Sequence, residues 1–298
     1  MKPKIGFIGL GLMGHAMAER LLDCGYSLTV VANRSRTAVD ALVARGAGEM
    51  GTARELAAAS DIVMLCVDTS ASVESRMRGA DGVIAGIKAD AVVIDFGTSL
   101  PGSTKALGAE VAETGAHYMD APLGRTPSHG REGKLNIMGA GDKAIFDRVK
   151  PVLDDLGENI FHLGPLGTGH TIKLLNNFVA QSHACVLAEV FAICDQAGVP
   201  RQSAYDVMSA GPLGSLFMDF MKAQAVDGDP TKLAFSIANA KKDVGYYVTM
   251  AEDLGKPTVL GNASKTALTL AASQGYAGRM VPEMVDFYAS LFEDKGEA

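Results

Sequence analysis

Short, continuously apolar runs alternate with helical periodicity through the first half of this chain. KIGFIG (4–9), SLTVVA (27–32), DIVMLCV (61–67), AVVIDF (91–96), AHYMD (116–120), LNIMGA (135–140) and NIFHL (159–163) read as strands. Runs that stay apolar at successive positions suit strands covered on both faces, as in a parallel sheet flanked by helices. Between them, MGHAMAERLLDCG carries a helical pattern that closes on Gly25. PGSTKALGAEVAETG carries another, opening on Pro101 and closing on Gly115. The alternation predicts an α/β domain, doubly wound around a mostly parallel sheet, over residues 1–164. DAPLGRTPSHG (120–130) reads as a turn-rich loop.

The strand-like runs stop near Gly164. GPLGTG (164–169) reads as a glycine-rich hinge, and residues 165–298 as an all-α domain. Its first segment, 170–198, is expected to form one long helix closed by Gly198 and Pro200. Helical patterns continue over 201–210, 213–226, 231–253 and 258–274. A cleft is expected where the two domains meet.

Gly9-Leu10-Gly11-Leu12-Met13-Gly14 matches GxGxxG, with an apolar strand before it, a helix after it and a second strand from about residue 27. In that context the first glycine allows a tight turn and the second lets the backbone approach a pyrophosphate. The third lets helix and strand pack closely. This is the pattern of a Rossmann dinucleotide-binding domain. At the end of the second strand, where an acid holds the ribose of NAD, the chain reads Asn33-Arg34-Ser35-Arg36. No carboxylate stands there to repel a 2′-phosphate, and two guanidinium groups are available to bind one, so NADP(H) is favoured over NAD(H). Solvated arginines at a strand end are the other reading.

Composition narrows the classes. Of 298 residues, 48% are apolar and 20% charged, the balance of a chain that buries a core in water. The net charge of −7, with no basic run, argues against nucleic-acid or anionic-membrane partners. It still allows a local cationic pocket for a small anion. Segment 178–194 is interrupted by Gln181, Ser182, His183 and Glu189, which argues against a bilayer span. Gly6, Gly9, Gly11 and Gly14 break up the apolar N-terminal stretch, which argues against a signal peptide. Cys24, Cys66, Cys185 and Cys194 lack CxxC spacing; they read as reduced thiols of a cytoplasmic protein, and no metal site is expected.

Two places carry candidate chemistry. Lys173 and Asn177 are four residues apart on the hinge helix and share a face, with His170 before them and Gln181 one turn on. Desolvation lowers the pKa of an ammonium, so a lysine in a cleft beside an amide suits proton donation to a carbonyl or alkoxide oxygen. The same spacing allows Lys173 to run its stem along apolar surface and put its amine in water. In the 120–130 run, Arg125 is either an anchor for an anionic group or a surface residue bonding nearby carbonyls.

The chain resembles the β-hydroxyacid dehydrogenases through GFIGLGLMGHAMAERL, DAPLG near residue 120, GKLNIMGAG near 133, GHTIKLLNN from 169 and AKKD at 240–243. The resemblance covers essentially the whole sequence, in order. It implies a Rossmann domain followed by a helical domain for substrate binding and oligomerisation, in a homodimer or homotetramer. It implies NAD(P)-dependent interconversion of a small anionic aldehyde and its alcohol. It also implies that Lys173 is catalytic, that Asn177 orients the substrate, and that Lys242 and Asp243 lie near the reaction. Gly9, Gly11, Leu12, Met13, Gly14, Asn33, Arg34, Ser35, Val67, Thr98 and Lys242 are the implied cofactor contacts, with Thr98 lining the nicotinamide. The family's substrate loop usually runs APVSGG; here it is APLGRT, so Gly124 falls on the serine and Arg125 and Thr126 on the glycines. The GRT variant is similar to members that reduce a sulfonated aldehyde, for which a guanidinium and a hydroxyl suit the three-oxygen anion. Carboxylate semialdehydes are the alternative substrates. Imine reductases resemble the family too but generally lack the lysine. A non-catalytic dinucleotide sensor is the reading from another class.

Overall fold

Every residue of β1 (Ile5–Ile8) is buried, and the chain is wound around it. The computed structural model describes residues 2–32 and 36–293. From β1 the chain runs through α1 (Leu12–Asp23), β2 (Leu28–Val31), α2 (Thr37–Ala44), β3 (Gly48–Met50) and α3 (Ala53–Ala59). It continues through β4 (Ile62–Leu65), α4 (Ser70–Met77), β5 (Val92–Asp95), α5 (Pro101–Ala112) and β6 (His117–Asp120). These strands form a six-stranded sheet in the order β3-β2-β1-β4-β5-β6, parallel throughout. Successive side chains of one strand enter opposite cores. Ile62, Met64, Val92 and Ile94 join the cluster with Phe7, Met17 and Leu21, while Val63, Leu65 and Val93 join Leu56, Val73 and Leu107. That two-sided burial is why the strands read as unbroken apolar runs.

The helices return to the sheet through left-handed glycines where the sequence places them, Gly25 (φ 76°) after α1 and Gly115 (φ 78°) after α5. Three points differ from expectation. β3 has no counterpart among the expected strands: its burial is exposed, exposed, half-buried, and three residues give no apolar run. The two downstream strand runs do not extend the main sheet. β7 (Leu123–Gly124), α6 (Pro127–Arg131), β8 (Leu135–Gly139), α7 (Lys143–Leu156) and β9 (Gly157–His162) build a three-stranded sheet, antiparallel at β7–β8 and parallel at β8–β9. The expected loop at 120–130 therefore holds a strand and a helix.

The chain divides into two compact units, Met1–Lys173 and Leu174–Ala298. The division falls inside α8 (Thr168–Gln196) rather than at the glycine hinge. The second unit continues through α9 (Arg201–Ser209), α10 (Leu216–Ala225), α11 (Ile237–Asp253), α12 (Val259–Ala271) and α13 (Met284–Phe292). The expected helix over 231–253 is a short turn at Pro230–Leu233 followed by α11, whose start is set by the Ser236 hydroxyl accepting from the Asn239 N–H. Ala188, Phe191, Ala192, Met221, Val244, Leu268 and Phe287 are fully buried in its core. α8 is long and apolar enough to qualify as a bilayer span by length and composition, but Ala184, Cys185, Leu187, Ala188, Phe191 and Ala192 of its second half are buried in that core.

Candidate active site

β1 delivers the chain into a turn that requires glycine. Gly9 has φ 97°, and a Cβ there would lie 2.4 Å from the Cys66 carbonyl oxygen and 2.7 Å from Val67 Cγ1. A Cβ on Gly14 would lie 1.9 Å from the Gly9 carbonyl oxygen, so α1 and the turn meet backbone to backbone. Gly11 is different: a Cβ there would meet nothing among the described residues within 4 Å. Gly11 is also the N-cap of α1, with no side-chain cap, so the first N–H groups and the positive end of the helix face that open ground. Leu12 is exposed and Met13 half-buried beside it. A glycine cradle at an uncapped helix terminus fits a diphosphate.

Asn33, Arg34 and Ser35, expected at the ribose end, lie outside the described residues. Arg36 is described and its guanidinium is committed. It donates to Glu49 at 2.8 and 3.0 Å and to Asp40 at 2.8 and 3.2 Å. This corrects the expectation that Arg36 stands ready for a 2′-phosphate. The register of β2 with β3 sets Val30 opposite Glu49, bringing in a carboxylate that the local sequence does not show. Arg36 in turn holds the Glu49 carboxyl below its usual range. A cavity of about 430 Å³ opens at this end of β2, lined by Val31, Ala32, Gly51, Thr52, Ser75 and Arg76 among others.

β5 and β6 each end on a fully buried aspartate. Asp95 accepts from the Gly97 N–H and the Ser99 hydroxyl, both at 2.8 Å, which fixes the loop carrying the half-buried Thr98. Asp120 accepts from the N–H groups of Gly167 and His170 at 2.8 and 2.7 Å, tying the start of α8 to the end of β6. Burial pushes the Asp120 carboxyl up, while His170 and those N–H donors pull it back.

Lys173 is half-buried in α8, and its Nζ donates to the Leu123 carbonyl at 2.7 Å. The structure thus joins the lysine to the strand that carries Gly124, which pairs with Asn136 across β7 and β8. The next residue, Arg125, has φ 77°, the left-handed region that costs a non-glycine residue free energy. Its Nη1 donates to the Lys134 carbonyl at 2.7 Å and to the Glu158 carboxylate. Its Nε and Nη2, the edge that makes two-pronged contacts with oxyanions, have no partner among the described residues. The Thr126 hydroxyl is engaged with Ser128 Oγ at 2.8 Å and His129 Nδ1 at 2.7 Å.

In the second unit Asn177, Lys242 and Asp243 come together. The buried Asn177 donates its Nδ2 to Asp243 at 2.6 Å, and Lys242 Nζ lies 2.8 Å from the other oxygen of the same carboxylate. Asn176 donates to Asn177 Oδ1 at 3.2 Å, so the amide is held from both ends. Sequence reasoning does not single out Asp95, Asp120, Glu49 or Glu158. The first two have a signal, since VVID and HYMD are apolar strands that end on an acid; the last two have none.

Comparison with known proteins gives this geometry a family. A profile described as the NAD binding domain of 6-phosphogluconate dehydrogenase matches residues 4–164. One described as the NAD-binding of NADP-dependent 3-hydroxyisobutyrate dehydrogenase matches residues 167–288. The 3-sulfolactaldehyde reductase of Escherichia coli is 32% identical over 91% of each chain. The chain belongs to the β-hydroxyacid dehydrogenase family. Another relative of this β-hydroxyacid dehydrogenase is 2-(hydroxymethyl)glutarate dehydrogenase of Eubacterium barkeri, 32% identical over 85% of this chain and 84% of its own. Among solved structures, 3-hydroxyisobutyrate dehydrogenase from Salmonella typhimurium matches with a TM-score of 0.81 at 26% identity, covering 96% of this chain and 100% of that one. As a β-hydroxyacid dehydrogenase, the protein is an NAD(P)-dependent oxidoreductase acting on CH–OH groups.

Proposed function

We propose that this β-hydroxyacid dehydrogenase reduces a small anionic aldehyde to its alcohol, with a sulfonated aldehyde of the 3-sulfolactaldehyde type as the preferred substrate. The observation that carries the reading is the 2.7 Å bond from Lys173 Nζ to the Leu123 carbonyl, which sets an ammonium two residues along the chain from Arg125. A nicotinamide dinucleotide held by Gly9, Gly11, Gly14 and Val67 supplies the hydride for the carbonyl carbon. Lys173 gives a proton to the carbonyl oxygen as it becomes an alkoxide, and takes one from the alcohol in reverse. The open edge of Arg125 takes the anionic end of the substrate and so fixes the carbonyl relative to the lysine. Asn177, one turn along α8 from Lys173 and gripped by Asp243, orients the substrate hydroxyl. NADP(H) preference rests on Arg34 of the Asn33-Arg34-Ser35 sequence, since Arg36 is occupied.

A carboxylate semialdehyde is the second reading, favoured by one observation: Glu158 already neutralises part of the Arg125 guanidinium and the Thr126 hydroxyl is engaged. An NADPH-consumption screen over 3-sulfolactaldehyde, tartronate, methylmalonate and succinate semialdehydes and glyoxylate separates the two. Under the first reading, the sulfonate gives the highest kcat/KM. Arg125→Ala then raises KM for the anionic aldehyde about tenfold or more at nearly unchanged kcat, the loss of one charge-assisted contact. An unchanged KM removes Arg125 as the anchor.

We also propose that the protein forms a homo-oligomer in a reducing, cytoplasmic setting. Val179, Val186 and Ile193, seven residues apart on α8, are 65%, 58% and 50% exposed and form an apolar stripe that a second copy would cover. Val186→Asp should sediment as a monomer where the native protein does not.

A further inference from the structure

We infer that His170 is a positioning residue for the reaction proposed above, locking three segments of the active site together through a buried network without touching substrate. The inference rests on the assignment of Lys173 as proton donor and Thr98 as part of the nicotinamide site.

His170, Asp95 and Asp120 are fully buried and Thr104 is 1% exposed. Two carboxylates and an imidazole shut away from water are costly to keep unless they compensate one another or serve the chemistry nearby. The Thr104 hydroxyl donates to the Leu100 carbonyl at 3.1 Å, which leaves its oxygen to accept from His170 Nδ1 at 2.7 Å. Nδ1 therefore carries a hydrogen, and the ring is oriented by α5. Its Nε2 points the other way, 3.7 Å from Asp95 Oδ2 and without a hydrogen-bond partner among the described residues, while Asp120 Oδ2 lies 3.8 Å from Nδ1. The imidazole thus stands between the two acids.

Each acid also governs a piece of the site. Asp95 holds the Gly97–Ser99 loop that carries Thr98. Asp120 holds the first N–H groups of α8 and precedes by three residues the Leu123 carbonyl that receives Lys173. His170 itself is three residues before Lys173 on α8, nearly one turn. Removing the ring frees the Thr98 loop and the start of α8 to shift against each other. A displacement of about 1 Å between reacting groups costs up to about a hundredfold in rate.

The test is His170→Asn, which keeps a donor for Thr104 but withdraws the ring from between the acids. The expected result is a folded protein that binds NADPH within about twofold of native and has an unchanged KM. Its kcat falls about ten- to a hundredfold. The deuterium isotope effect with NADPH labelled at the transferred position rises, because the chemical step now limits turnover. Amide exchange at Gly167 and His170 quickens, a readout that needs no turnover. Thr104→Val, which removes the acceptor for Nδ1 together with the bond to the Leu100 carbonyl but leaves the ring in place, should move the same quantities in the same direction to a smaller extent, and serves if the histidine variant does not fold. Native kcat and isotope effect in a folded variant overturn the inference. So does an activity loss that merely follows the unfolded fraction with the isotope effect unchanged. If Lys173→Ala is also fully active, the fault lies with the proposed reaction; if only the His170 and Thr104 variants are native-like, it lies with the network.

Discussion

Lys173→Ala is expected to bind NADPH within about twofold of native and to lose about two to four powers of ten in turnover, the usual worth of a placed proton donor. The separation follows from where the lysine sits. Its amine donates to the Leu123 carbonyl in β7, far along the chain from the glycine turn that would hold the dinucleotide. Lys173→Arg should recover little: a guanidinium keeps the charge but does not give up a proton at neutral pH, and its planar fork does not reproduce one ammonium bond to one carbonyl. Steady-state kcat beside a fluorescence titration of NADPH makes the measurement. Near-native turnover in the alanine variant would end the case for this residue as the acid.

The second large effect concerns two glycines of one motif that should fail in different ways. Gly14→Ala puts a methyl group 1.9 Å from the Gly9 carbonyl oxygen, and neither partner is a side chain that can swing away. β1 and α1 must part. The expected cost is about 1–3 kcal/mol of stability, as for other overpacked sites, with NADPH binding weakened more than tenfold because the helix terminus has moved. Gly11→Ala adds a methyl group where nothing among the described residues lies within 4 Å. Its melting temperature should stay within about a degree of native, while NADPH affinity still falls because the methyl group takes the ground a diphosphate needs. Thermal unfolding together with titration tells the two apart. Equal loss of stability in both variants would mean that the open space before α1 is not a ligand's.

Much of this is legible in the sequence because the physics is local. Strands buried on both faces announce themselves as apolar runs, and Gly9 announces a left-handed turn because little else tolerates φ 97°. What fails to show is non-local. The Arg36–Glu49 pair depends on a three-residue strand finding its neighbour. Asn177 meets Asp243 across 66 residues and His170 meets Thr104 across another 66, and periodicity carries no record of either meeting. The Asn177, Lys242 and Asp243 grouping is available only through family resemblance. The short β7 and α6 are hidden by the glycines and prolines that make 120–130 read as a loop. The bounds of the second unit are also obscured, because the tether from Asp120 to the first turn of α8 joins residues about 50 apart.

One consequence of the all-parallel sheet is a division of labour between its two rims. At the rim where strands finish lie Gly9, Val67, Asp95 and Asp120, so a change there disturbs the glycine turn, the Thr98 loop or the start of α8. At the rim where strands start lie the left-handed corners at Gly25 and Gly115, whose φ of 76° and 78° disfavours any side chain, so alterations there go beside these two glycines and not at them. Labels, tethers and surface charges belong on the second rim. There the scaffold absorbs alteration without passing it to the chemistry.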